Sequence, residues 1–87
     1  MKKDRIKDLS SYTEIDVVFL HDCLEHGALS ADELPEDPHA LSPAQLSRLR
    51  RLQRLCAGLQ IDVYAGAIIV DLLEELDRAR AEIARRP

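Results

Sequence analysis

Tryptophan is absent, and one Phe and two Tyr make up the whole aromatic content of 87 residues. A core must therefore come from Leu, Ile, Val and Ala, which suits helices better than a sandwich of sheets. No run approaches the ~20 apolar residues of a membrane span. Met1 to Asp8 is charged and has no apolar stretch of the kind a secretory leader needs, so a cytoplasmic location is expected. There is no Gly-rich phosphate loop and no placeable Ser-His-Asp or Cys-His arrangement, so an enzyme is not expected. Asp22 and His26, spaced i,i+4, come nearest to a catalytic pair and read as a surface contact on a helix.

The two cysteines, Cys23 and Cys56, are far apart and lie on apolar stripes. They read as small buried hydrophobes in a reducing compartment. His21, His26 and His39 lack partners at ligand spacing, and Cys23 with His26 would supply only half a zinc site, so neither metal nor cofactor is expected. A chain of this length makes one domain and buries only about 60 to 65% of its unfolded surface, so a partner would help to stabilise it.

What is present is a series of helix-start signals. Ser11-Tyr-Thr-Glu14 is a capping-box pattern that predicts a helix over about 12–26, with Ile15, Val18, Phe19, Cys23 and Leu24 on one face and Gly27 as its C-cap. Ser30-Ala-Asp-Glu33 repeats the box, but Pro35 limits it to one turn, about 31–34. Ser42-Pro-Ala-Gln45 opens a helix over about 43–57, with Leu46, Leu49, Leu52, Leu55 and Cys56 inward and an end near Gly58. Asp62 caps a last helix over about 63–85. The fold class is thus all-α: a charged N-terminal arm (1–10), then a single helical domain (11–87). Along the last helix Ile69, Leu72, Leu76, Ala79 and Ile83 alternate three and four apart, a heptad seam that predicts a homodimer.

Charge is sorted by segment under a net of −4. Residues 10–43 carry Glu14, Asp16, Asp22, Glu25, Asp32, Glu33, Glu36 and Asp37 with no Lys or Arg. The next helix carries Arg48, Arg50, Arg51 and Arg54 with no acid, the pattern of a helix that grips a nucleic-acid backbone. An acidic domain is repelled by phosphate, however, and helices before residue 34 would bring carboxylates to it. The four arginines are therefore expected to face the acidic segment 10–43 or solvent.

The stretch LSPAQLSRLRRLQRLCAGLQIDVYAGAIIVDLLEELDRARAEI (41–83), with FLHDCLEHGAL (19–29) before it, resembles MerR-like helix-turn-helix proteins, most closely their chaperone-modulator branch, the CbpM family. The resemblance lies in the leucine and arginine helix, the Leu59-Gln-Ile61 connection, the Asp62 cap, Ala65-Gly-Ala67, and DLLEEL running into a heptad. It covers about three quarters of the chain. MerR-type regulators begin with a complete two-helix DNA-reading unit, whereas the signals here place one helix before residue 30, implying a truncated version with a long C-terminal helix. The connection has its glycine at Gly58 and a glutamine at Gln60. The resemblance implies an adaptor that binds the J-domain of a DnaJ-type co-chaperone and regulates DnaK. The candidate contact residues are Asp71, Glu74 and Glu75 on the last helix and Asp16, Asp22 and Glu25 on the first. The alternative is a dimeric DNA-binding regulator using Arg48, Arg50, Arg51 and Arg54, continuous with Lys2, Lys3, Arg5 and Lys7.

Overall fold

Ile6, Leu9 and Thr13 recur three and four apart inside a strongly charged segment, and this narrow stripe is enough to fold it as helix against the core. A computed structural model describes residues 2–30 and 34–86, with side chains from Arg5 onward, and residues 2–10 of the expected N-terminal arm lie within its first helix, α1 (Lys2–Thr13). Three further α-helices follow: α2 (Val17–Glu25), α3 (Pro43–Leu59) and α4 (Val63–Ala84). Among the described residues there is no strand.

The single helix expected over 12–26 is broken after Thr13, and Ser11 to Glu14 ends a helix instead of starting one. Thr13 is buried; its hydroxyl donates to Leu9 O at 2.7 Å and accepts from Ile15 N–H at 3.3 Å. Glu14 then takes the left-handed conformation, with φ 61°, and Ser10 Oγ donates to Ile15 O at 2.5 Å. These are the residue types of a helix start, here satisfying the backbone of a helix end. Two helices therefore precede residue 30, joined by Glu14-Ile15-Asp16, with Ile15 2% exposed in the core.

After α2, Gly27 adopts φ 73° as its cap position requires, and Leu29 N–H donates to Cys23 O at 3.0 Å, returning Leu29 to the core. The turn expected at 31–34 falls largely on residues outside the described ones. From Leu34 the chain runs along α1 through a 3₁₀ turn (Pro38–Ala40), held by the Tyr12 and His39 rings edge to face at 4.4 Å and by Arg5 and Glu36 at 3.8 Å.

The expected start of α3 is present in full: Ser42 Oγ accepts from Gln45 N–H at 3.1 Å while Gln45 Oε1 accepts from Ser42 N–H at 3.3 Å. Its end differs. The helix continues through Gly58 to Leu59, and Gln60 takes the left-handed cap with φ 53°. Asp62 accepts from Ala65 N–H at 2.8 Å to start α4. Leu49 and Leu52 of α3 face Val63, Gly66 and Val70 of α4 across the core formed with α1 and α2. Close approach depends on Gly66, where a Cβ would lie 2.6 Å from Cys56 Sγ and 3.0 Å from Leu52 Cδ1. Beyond Val70, α4 leaves this core, and the molecule extends to 50 Å along its long axis.

Candidate interaction surfaces

Two arginines of α3, Arg48 and Arg51, pair with acids of α4, and among the described residues none of the four forms an ion pair with a carboxylate of the acidic segment 10–43. Arg48 donates to Asp71, to Glu74 Oε1 at 2.9 Å and to the backbone oxygen of Ala28 at 3.3 Å. Burial works against its charge, but the Glu74 and Asp71 hydrogen bonds outweigh it and hold the guanidinium pKa above its ordinary range. Arg51 meets Asp77 at 3.3 Å, and Arg50 donates to Thr13 O at 3.3 Å at the end of α1. Arg54 is exposed and forms no ion pair among the described residues. The pairing follows from the short Gln60-to-Asp62 connection, which folds the acidic helix next in sequence against the basic one. Three of the four arginines are therefore engaged within the fold; of the N-terminal cations, Arg5 lies near Glu36, Lys7 is exposed, and the side chains of Lys2 and Lys3 lie outside the described ones.

The candidate contact acids divide in the same way. Asp71 and Glu74 both pair with Arg48, whereas Glu75, Asp16, Asp22 and Glu25 form no ion pair among the described residues. Asp16 precedes α2 at the N-cap position but makes no side-chain cap bond. On α2, Leu20 and Cys23 are buried, so the helical period turns Val18, His21, Asp22 and Glu25 outward. This is the second helix of a two-helix unit, the position from which such units read bases, yet its outer face carries no Lys, Arg, Asn or Gln.

Along α4 the expected seam is largely on the surface: Leu72, Leu76 and Ile83 are 59%, 43% and 66% exposed and Ala79 is exposed, while Ile69 is half-buried against the protomer. The residues that sequence reasoning missed are Tyr64 and Ile68, 61% and 48% exposed, which carry the stripe toward the base of the helix. The signal was available as four-residue spacing through Tyr64, Ile68, Leu72 and Leu76.

Both thiols are inert to ionisation at neutral pH. Burial first, then the neighbouring Cys56 and Asp22, push the pKa of fully buried Cys23 up to about 12. Burial and Asp62 raise that of Cys56, whose thiol lies 3.6 Å from Asp62 O. Among the described residues no helix is long and apolar enough to cross a membrane.

No curated protein and no solved structure matches the chain. The family model described as MerR HTH family regulatory protein does match, over residues 5–85, from α1 to the end of α4. With a two-helix unit at the start, a leucine and arginine helix behind it and a long last helix, the chain belongs to the MerR helix-turn-helix family of regulatory proteins.

Proposed function

We propose that this chain is a non-enzymatic interaction module of the chaperone-modulator (CbpM-like) type, which binds the J-domain of a DnaJ-type co-chaperone and thereby regulates DnaK. The observation that carries the reading is the outer face of α2, where Val18, His21, Asp22 and Glu25 stand in place of the cationic and amide side chains that read DNA. The engagement of Arg48 and Arg51 by acids of α4 supports it, because neither guanidinium is left to neutralise a phosphate. A J-domain presents a basic helix to its chaperone. The carboxylates without an internal cation, Asp16, Asp22, Glu25 and Glu75, complement such a helix and would raise its on-rate and selectivity. Asp71 and Glu74 take a supporting role, fixing α3 to α4 through Arg48.

The module acts as a homodimer through Leu72, Leu76, Ala79 and Ile83. Four apolar residues on one face of a projecting helix end are the pattern of a surface awaiting a second helix. The test is the ATPase rate of DnaK stimulated by its DnaJ-type partner, with and without this protein. Suppression or reshaping of the stimulation, with binding to the isolated J-domain, is the expected result. The second reading, a DNA-binding regulator, is favoured by the completeness of the α1–α2 unit; sequence-selective binding to duplex DNA with no effect on the chaperone cycle would establish it instead.

A further inference from the structure

Ala44, Ser47, Arg51, Arg54 and Gly58 recur three and four apart along α3, and all are exposed except half-buried Arg51, so they share the flank turned away from the core. Two hollows open along this flank. The first, about 340 Å³, lies between α3 and α4, with Ala44 and Ser47 on one wall, Asp77 and Arg78 on the other, and Val70 between them. The second, about 450 Å³, is lined by Arg54, Leu55, Gly58 and Leu59. A Cβ at Gly58 would meet nothing within 4 Å, so the surface is open there. Arg51 borders both hollows and joins them into one groove, and its ion pair with Asp77 at 3.3 Å ties the α3 wall to the α4 wall. From Ala44 to Leu59 the flank runs roughly 22 Å at the helical rise, the reach of about four turns of a bound helix. Arg48 and Arg51 are paired with acids of α4, whereas Arg54 and Arg78, one in each hollow, form no ion pair among the described residues. Beside Arg54, Leu55 is half-buried and Leu59 57% exposed.

We infer that this groove docks an acidic amphipathic helix of a partner protein, its carboxylates on Arg54 and Arg78 and its apolar residues on Leu55 and Leu59. Cations without an internal partner, flanking exposed leucine, match that occupant in both charge and apolar surface. Nucleic acid fits less well. Glu74 and Asp77 also line the first hollow, and a continuous phosphate backbone would be brought against them, whereas a helix with a few spaced carboxylates sets these on the guanidiniums alone. A second copy of this chain offers the acidic face of α2, but a contact of α2 on α3 is head-to-tail and does not close, so it would grow into chains. The occupant is therefore a separate protein. The groove takes a partner opposite in charge to the one proposed for the acids of α2 and stands independently of that reading. None of Leu72, Leu76, Ala79 and Ile83 lines it, so it is also separate from the self-pairing seam.

The test titrates the full chain into a fluorescently labelled Glu/Leu amphipathic helix of about 18 residues, with a duplex DNA in parallel and molar mass followed by light scattering. The wild type is expected to bind the acidic helix. R54E/R78E is expected to weaken that binding about tenfold at low salt, an effect that shrinks as salt rises. L59S is expected to weaken it about fivefold at any salt, because only apolar contact is lost. All three side chains are exposed, so each variant should keep the helical signal and melting temperature of the wild type. No binding of the acidic helix by the wild type, or binding unchanged in R54E/R78E, would overturn the inference. DNA binding that R54E/R78E abolishes, with no affinity for the acidic helix, would assign the groove to nucleic acid and overturn it as well. Growth of the wild-type molar mass beyond a dimer, abolished in R54E/R78E, would assign the groove to a second copy of this chain, and the inference falls.

Discussion

The two halves of α4 share one helix and differ in what they touch. From Val63 to Val70 the inward residues are fully packed, and Gly66 lets α3 come within side-chain contact. From Asp71 onward no residue is fully buried, although Leu72, Leu76 and Ile83 are as apolar as anything in the core. The composition of the two halves therefore does not decide burial; the presence of a neighbour does. The first half is organised for folding, and the exposed three-and-four apolar spacing of the second is the feature on which the proposed homodimer rests.

The contrast is broken most sharply by comparing a truncation in the α3 face that packs on the first half of α4 with the same truncation in the second half. Leu52→Ala, against the buried half of α4, removes a fully buried side chain and is expected to cost about 3 kcal/mol, a large part of the stability of a domain this size. Leu76→Ala, in the exposed half, is expected to stay within about 0.5 kcal/mol for the monomer and to weaken self-association. Thermal melts read the first and sedimentation the second. Equal destabilisation by both would show that the outer half is packed within the protomer.

The core against which the first half of α4 packs is also expected to be alkaline-sensitive, through Cys23 of α2. Cys23 keeps its proton to about pH 12 in the folded chain, against an ordinary thiol value of 9.0. Above pH 9 the unfolded chain loses that proton while the folded chain retains it, so stability falls as pH rises through the window from about 9 to 12. The limit is about 1.4 kcal/mol per pH unit. Urea midpoints across this window should decline in the wild type and decline less in Cys23→Ala; identical slopes would contradict the burial of the thiol.

A smaller loss than that of Leu52→Ala is expected at the contact between α3 and α4. Gly66→Ala improves helix propensity by about 1 kcal/mol, but the new methyl meets Cys56 Sγ and Leu52 Cδ1, and overpacking of this kind costs about 1 to 3 kcal/mol. The balance is a loss of about 1 kcal/mol, visible as a melting temperature lower by about 4–8 °C. A rise in melting temperature would mean that the two helices stand further apart.

The fold class, the Ser42 capping box, the Asp62 cap and the exposed seam were legible because each depends on residues a few positions apart. The start of the chain was not. Ser11, Thr13 and Glu14 are capping residues at either end of a helix, and only the burial of Ile6, Leu9 and Thr13 decides that they close α1. The helix expected to end near Gly58 runs on to Leu59, and Gln60 takes the left-handed cap, a conformation its residue type does not announce. The partners of the arginines were also hidden, since Arg48 with Asp71 and Glu74 is a contact more than 20 residues apart that depends on how α3 and α4 cross. Of the inward face expected on this segment, Ile15 and Cys23 are buried and Phe19 and Leu24 half-buried, but with the helix beginning at Val17 it is Leu20 that turns inward and Val18 that turns out.

The central claim is that this helix-turn-helix unit presents a protein-binding face where its family architecture offers a DNA-reading one. The measurement that bears on it most directly is a pair of titrations of the full chain at about 50 and 200 mM salt, one against a DnaJ-type J-domain and one against duplex DNA. The account predicts saturable J-domain binding at both salt concentrations and DNA binding that is weak at the lower and lost at the higher. Tight DNA binding that persists at the higher concentration, with no affinity for the J-domain, would contradict it.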